Sequence, residues 1–305
     1  MNTRERRSPQ HPFLQGVESD RAMNEIRIPR EGKFGKVRTR YKKSDLELQL
    51  GFSYLNKKYD GCVVLIGGLD QFDPNIVTDE YSKYSLTWDD TTNTLQTPVN
   101  FEAELNKCSK YNIVVIPLAI SYGETAHENI LVYKRDIRQM ARFEPNGCMP
   151  KTNYKIMDKV IKTTFSQYIN TYLEPSMFCP NKSYQSIEGK CAEDIAGDEG
   201  YCTVWCLWFA ELVMLNPDIE FKKLVTQSLK ILTSIGGQAL RHLIRGYSHM
   251  LATAARRYRK FGNIDKIYDE MSKSYQIMAH TYVEETNNVP QTYLNIFKSW
   301  AKKFW

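Results

Sequence analysis

Apolar and polar positions alternate in two different rhythms along this chain, and the change comes near residue 147. Before it, the apolar residues gather in short runs bounded by turn formers. Cys62-Val63-Val64-Leu65-Ile66 closes on Gly67-Gly68, and Asn112-Ile113-Val114-Val115-Ile116-Pro117-Leu118-Ala119-Ile120 forms a longer run. Runs of this length predict buried strands, with Pro117 pointing to a sheet edge, a bulge or an early end. Asn129-Ile130-Leu131-Val132-Tyr133 and Gln139-Met140-Ala141-Arg142-Phe143 flank a short turn at Arg135-Asp136 and predict a hairpin. It stops at Glu144-Pro145-Asn146-Gly147, where every residue favours a turn. Ahead of these strands, the stretch from Ser44-Asp45-Leu46 to Lys57-Lys58 predicts a short helix. Residues 70–100, rich in Asp, Thr, Asn and Pro, predict a long surface excursion with little regular structure.

After residue 147 the period becomes helical. Ile156, Met157, Val160, Ile161, Phe165, Tyr168, Ile169 and Tyr172 recur at steps of three and four, which predicts one amphipathic helix before a Pro/Asn-rich linker at 175–186. Further helices are expected at 203–215, 220–234, 238–260 and 263–284, broken at Asn216-Pro217, Gly236-Gly237 and Gly262-Asn263. Together these give an α+β fold, a small sheet carrying helices, in three parts: an extended arm at 1–43, a core at 44–218 and a helical extension at 219–305.

Composition narrows the class. A chain of 305 residues with 42% hydrophobic and 25% charged residues can bury a substantial core as one large domain or two small ones. No run approaches the roughly 18 apolar residues of a membrane span, and Met-Asn-Thr-Arg-Glu-Arg-Arg leads into polar residues, so the expectation is a protein that is not secreted. Seven cysteines without regular spacing (62, 108, 148, 179, 191, 202 and 206) argue against a disulfide framework and for a reducing compartment, with most thiols, Cys62 and Cys206 among them, serving as packing residues. No histidine stands at ligand spacing to them, so neither a metal nor another cofactor is expected. Gly67-Gly68 is not followed by the Lys-Ser/Thr of a phosphate loop. The net charge of +6 resides in the arm, where 12 Lys and Arg face 5 Asp and Glu, leaving −1 on the remainder. Such an arm cannot fold alone, and it suits docking to a protein assembly or to nucleic acid. Arg241, Arg245, Arg256, Arg257, Arg259 and Lys260 read as a solvated helix face.

The candidate chemistry lies at Cys202, where the polar stretch Asp198-Glu199-Gly200-Tyr201 enters the most apolar helix of the chain. Unpaired N–H groups in a first helical turn favour a thiolate over a thiol. A thiolate nucleophile also needs a base and a group that orients that base. His127 opens the first strand of the hairpin, and Glu144, 17 residues later, ends the second, so antiparallel pairing brings them side by side. Asn146 is a rival to Glu144 as the orienting group.

His127-Glu128-Asn129-Ile130-Leu131-Val132-Tyr133, then Arg142-Phe143-Glu144-Pro145-Asn146-Gly147, then Gln185-Ser186-Ile187-Glu188-Gly189, then Gly200-Tyr201-Cys202-Thr203-Val204-Trp205-Cys206-Leu207-Trp208 follow one another in an order that resembles a known family. It is that of the adenovirus protease and the SUMO- and ubiquitin-like-protein-specific cysteine peptidases, above all their papain-fold relatives in large DNA viruses. The likeness covers roughly residues 110–218. It implies a papain-like core in which His127 is the general base, Glu144 its partner, Cys202 the nucleophile and Gln185 an oxyanion-hole donor beside the Cys202 backbone N–H. The reaction implied is hydrolysis of a peptide or isopeptide bond in a protein substrate, with small residues such as Gly-Gly before the cut. Thr203 stands where the family usually has glycine. Gln185 lies 17 residues before Cys202 rather than six or seven, so Glu188 or Asp198 are alternatives for its place. A viral setting implies a virion or host-cytoplasm location and viral structural partners for the arm. The alternative function is a virion or capsid-associated scaffolding protein that keeps a peptidase-like fold.

Overall fold

A computed structural model describes residues 45–65, 85–122, 126–148, 154–190, 201–234, 237–261, 263 and 265–269. The basic arm, Asp198, the 70–84 part of the expected excursion and the expected helix beyond 269 lie outside the described residues.

Helix α1 (Asp45–Lys58) leads to β1 (Cys62–Val63), and the next described elements are β2 (Leu86–Asp89) and β3 (Thr94–Gln96). Helix α2 (Phe101–Lys107) and a 3₁₀ turn at Cys108–Lys110 precede the three long strands β4 (Ile113–Ser121), β5 (Ala126–Lys134) and β6 (Gln139–Phe143). Then follow α3 (Lys155–Thr164), β7 (Thr171–Leu173), the short helices α4 (Pro175–Phe178) and α5 (Tyr184–Lys190), and the helices α6 (Cys202–Leu215), α7 (Phe221–Ser234) and α8 (Gly237–Phe261). The mixed α+β class expected from the sequence is the one observed.

One seven-stranded sheet runs in the order β3-β2-β4-β5-β6-β7, with β1 also paired to β4. Strands β4, β5 and β6 are mutually antiparallel, whereas β1 and β2 pair with β4 in parallel and β7 pairs with β6 in parallel. Pro117 sits in the middle of β4 without ending it. The partners on that flank are β1, opposite Val114 and Val115, and β2, opposite Leu118 to Ser121. Val115 turns its carbonyl to this flank, accepting from Val64 N at 2.8 Å, so the proline nitrogen two residues on faces the gap between the two short strands. No ladder hydrogen bond is lost there.

Alternation along the strands supplies two cores. Val63, Ile113, Val115, Ile130, Val132, Ala141 and Phe143 face α6, which is buried from Cys202 to Met214 and carries α1 and α8 on its other sides, with α7 packed against α4 and α8 in the same core. Phe143 stacks on Phe209 with ring centroids 3.8 Å apart. Val114, Ile116, Leu118, Ile120, Leu131, Tyr133 and Met140 face the opposite way, onto α2 and α3 through Phe101, Leu105, Met157 and Ile161. An apolar helix without a polar face is what a position enclosed by sheet and helices requires.

Three expectations are corrected. Residues 86–96 form a hairpin rather than an irregular excursion: Leu86 and Trp88 are buried, and Asp89 Oδ1 accepts the amide of Thr91 at 2.9 Å in the turn that Asn93 closes at φ 56°. The helix predicted across 156–172 ends at Thr164, because Asn170 N donates to Arg138 O at 2.7 Å and draws the chain onto the β6 edge as β7. The supposed linker at 175–186 holds α4, started by Pro175 in its first turn, and the beginning of α5. A fourth difference concerns Cys62, expected as a free packing thiol. It forms a disulfide with Cys108, Cα atoms 5.5 Å apart, because β1 pairs beside Val114 and Cys108 immediately precedes β4 at that same edge. Among the described residues, no helix is long and apolar enough to cross a membrane.

Candidate active site

His127 enters the site from the start of β5, opposite Ile120 of β4. Pairing on its other side, with β6, ends at Ile130 opposite Phe143, so Glu144 leaves β6 just where Asn129 and His127 project. Residues 127 and 129 share one strand face, as do 142 and 144. His127 Nε2 lies 2.7 Å from Glu144 Oε1, and Asn129 Nδ2 donates to Glu144 Oε2 at 3.0 Å. A third donor, the backbone N–H of Asn146, reaches Glu144 Oε1 at 2.9 Å. Of the two rivals for the orienting role, Glu144 is therefore the one on the ring. Asn146 contributes through its main chain.

The acid is held by a turn that only glycine can complete. Gly147 has φ 91° and donates to Glu144 O at 3.0 Å, and a Cβ there would stand 2.4 Å from Pro180 O. Pro145 O accepts the amide of Gln185 at 3.0 Å, which docks this turn onto the start of α5.

Cys202 is the first residue of α6 and is 8% exposed. His127 carries a side-chain hydrogen bond with Cys202 besides the one with Glu144. With Nε2 occupied by Glu144, Nδ1 is the nitrogen left to face the sulfur. Gln185 lies beside the acid turn, and its side-chain oxygen is buried with no hydrogen-bond partner among the described residues. On the same short helix, Glu188 accepts a hydrogen bond from Trp205 Nε1 at 3.3 Å, which ties α5 to the first turn of α6 across the 17-residue gap in sequence. Glu188 is thus occupied in packing the two helices together. Cys206, as expected, is buried, with its thiol 3.3 Å from Glu128 O.

Sequence reasoning missed the residues behind the acid. Arg142 donates through Nη1 to Asn129 Oδ1 at 2.6 Å and makes a two-pronged pair with Asp158 of α3, Nε to Oδ1 at 2.7 Å and Nη2 to Oδ2 at 2.8 Å. Tyr172 OH donates to Asp158 Oδ1 at 2.5 Å. The signal that could have found them is the spacing of two in His127/Asn129 and Arg142/Glu144, which puts four polar side chains on one face of a hairpin.

Burial alone would lower the pKa of His127, but the Glu144 charge and the hydrogen bond with Cys202 outweigh it and hold the imidazole well above its usual 6.5. Burial would likewise raise the Glu144 carboxyl, yet His127, Arg142 and the Asn146 N–H keep it below its usual 4.5. The pair therefore favours imidazolium and carboxylate. The raised histidine contributes stability that is complete below pH 6.5 and is lost as pH rises through its folded pKa. The lowered carboxyl contributes stability present above pH 4.5 and lost as pH falls through its folded pKa. The melting temperature of the native protein should therefore exceed that of Glu144→Gln most between pH 4.5 and 6.5, by about 3 °C or more, with the gap narrowing on both sides. Calorimetric scans across pH check this, and a gap independent of pH would refute the assignment of charges.

No family model matches the chain. A protein of Acanthamoeba polyphaga mimivirus described as a putative ankyrin repeat protein is 25% identical over 229 residues. That alignment takes in 65% of this chain but only 30% of the mimivirus protein. Among solved structures, the Chlamydia abortus effector protein ChlaDUB superposes with a TM-score of 0.32 at 12% identity, covering 62% of this chain and 90% of its own. A score of 0.32 is too low to fix a shared fold.

Proposed function

We propose that this chain is a cysteine peptidase of the adenovirus-protease and SUMO-peptidase type, with a papain-like core, cleaving peptide or isopeptide bonds through a Cys202 thioester. The observation that carries this reading is a single imidazole, His127, joined to a buried carboxylate at 2.7 Å and hydrogen-bonded to a thiol at the first residue of an enclosed helix. An imidazolium beside the sulfur and the N–H groups of the α6 first turn both favour the thiolate. The sulfur attacks the substrate carbonyl carbon and forms a C–S bond. The oxyanion is met by the Cys202 backbone N–H, with the Gln185 amide as second donor. The C–N bond then breaks as the imidazolium gives its proton to the leaving amine, and water, deprotonated by the now neutral imidazole, hydrolyses the thioester.

Glu144 keeps the imidazole in the orientation that both proton transfers need, so the site holds its geometry before substrate arrives. A protein substrate follows from the bond cleaved, and the mimivirus relative supports a setting in a large DNA virus. The test is covalent labelling. A peptide carrying a thiol-directed electrophile at its C-terminus should modify Cys202, located by mass spectrometry, and leave Cys202→Ala unmodified at matched time and concentration. Equal labelling of both proteins would sink the reading.

A further inference from the structure

Glu144 is buried at 1% exposure with a carboxylate that only accepts, and its second oxygen is met by Asn129 rather than by solvent. Asn129 is fully buried and has two chemically distinct ends. Which end faces Glu144 is decided one step further back. Arg142, 2% exposed, can only donate, and its Nη1 lies 2.6 Å from the Asn129 side chain. The amide oxygen must therefore face Arg142, and the NH₂ must face Glu144. The arginine is fixed in turn by its two-pronged bond to Asp158 on α3 and by lying over the Tyr154 ring, its carbon 4.9 Å from the centroid. Hydrogen bonds with fixed donors thus link α3 through β6 and β5 to the acid beside His127, Arg142 donating both to Asp158 and to Asn129, and Asn129 to Glu144.

We infer that Asn129 is a positioning residue for the candidate site, its polarity set by Arg142 and Asp158, and that it selects the Glu144 rotamer that presents Oε1 to His127. The inference rests on the peptidase reading and deepens it. With Asn129 in place, the carboxylate has one favourable orientation. Without it, Oε2 loses its donor and Glu144 is held only through Oε1, by His127 and the Asn146 N–H, so the carboxylate can turn about that oxygen and its charge holds the imidazolium proton less firmly. Charged and titratable groups facing this carboxylate come from five elements: His127 on β5, Arg142 on β6, Tyr122 after β4, Tyr154 before α3 and Cys179 after α4. Cys202 on α6 faces His127 from the other side. Tyr122 and Tyr154 are hydrogen-bonded to each other and are both held above the usual phenol range by burial, so neither competes for the proton near neutral pH. Burial pushes the Cys179 thiol up to about 12, which removes it as well.

The experiment follows the His127 ring by NMR titration and the rate at which iodoacetamide alkylates Cys202, mapped by mass spectrometry, in the full chain. Neither readout needs a substrate. In Asn129→Ala the His127 midpoint should fall by about one pH unit, and Cys202 alkylation at pH 6 should slow about tenfold. The second variant combines Arg142→Met with Asp158→Leu, exchanging a buried ion pair for apolar side chains, a change often tolerated by the fold. It frees the Asn129 amide to turn over, and the midpoint should fall in the same direction by a smaller amount. An unchanged midpoint and rate in either folded variant overturns the positioning role while leaving the peptidase reading standing. A native protein whose His127 titrates near 6.5 and whose Cys202 reacts no faster than an ordinary thiol overturns both, a result plainly different from the first.

Discussion

Replacing His127 by alanine is expected to lower kcat/KM by about a thousandfold or more on any substrate the protein turns over, with Glu144→Gln costing about a hundredfold. The difference between the two follows from what each side chain touches. His127 is the group bonded to both Cys202 and Glu144, so its loss removes the thiol's proton acceptor and the leaving amine's proton donor together. Glu144 meets three donors, from His127, Asn129 and Asn146, and offers none in return. A glutamine has only one oxygen for those three donors, and its NH₂ must point at the NH₂ of Asn129 or at the ring. Either placement weakens the hold on the imidazole without removing it. Steady-state kinetics on the two variants check the order. His127→Ala turning over within tenfold of the native protein would remove the histidine from the mechanism, and Glu144→Gln more damaging than His127→Ala would mean that the carboxylate does more than orient.

The parts of this arrangement that sequence made legible are those with a short-range physical signature. The hairpin carrying His127 and Glu144 could be read because the apolar period of β5 and β6 and the turn chemistry of Glu144-Pro145-Asn146-Gly147 agree with one another. Helix α6 was legible because a 14-residue run so largely apolar, with no polar face, has to be enclosed. What was not legible depends on partners far along the chain. Residues 165–172 keep a helical period, but the free edge of β6 competes for their backbone and wins as β7. Cys62 looks like any strand cysteine until β1 is known to lie against β4 beside Cys108. Arg142 and Asp158 lie 16 residues apart on a strand and a helix, and no local pattern announces a pair formed across two elements. Pro117 misled for the same reason, since whether a proline interrupts a strand depends on what occupies the flank its nitrogen faces.

Glu211→Ala should destabilise the protein by about 3 kcal/mol or more, the largest loss expected from any single change away from the candidate site. Glu211 lies on α6 and is completely buried, yet it carries a carboxylate into an otherwise apolar layer. Three donors from two other helical regions converge on it. Lys58 Nζ and Tyr59 OH, at the end of α1 and just beyond it, reach Oε1 at 2.7 and 2.5 Å, and Tyr247 OH of α8 reaches Oε2 at 2.9 Å. Truncation to alanine leaves a buried tyrosine hydroxyl without its acceptor and a lysine whose side chain is only 22% exposed without its counter-charge, and it opens a void between three packed helices. Glu211→Gln keeps the volume and one acceptor oxygen, so about 1–2 kcal/mol is expected there, mostly from the lost ion pair with Lys58. Urea unfolding followed by tryptophan fluorescence reads both, since Trp205 and Trp208 are buried on the same helix. Alanine costing less than about 1 kcal/mol would mean that the three donors find other partners and that Glu211 does not tie α1 and α8 to α6. Position 211 is nine residues from Cys202, about 13 Å along the helix. The folded Glu211→Gln protein should therefore alkylate at Cys202 as fast as the native one, because the charge cluster that holds α6 in place is separate from the one that governs its first residue.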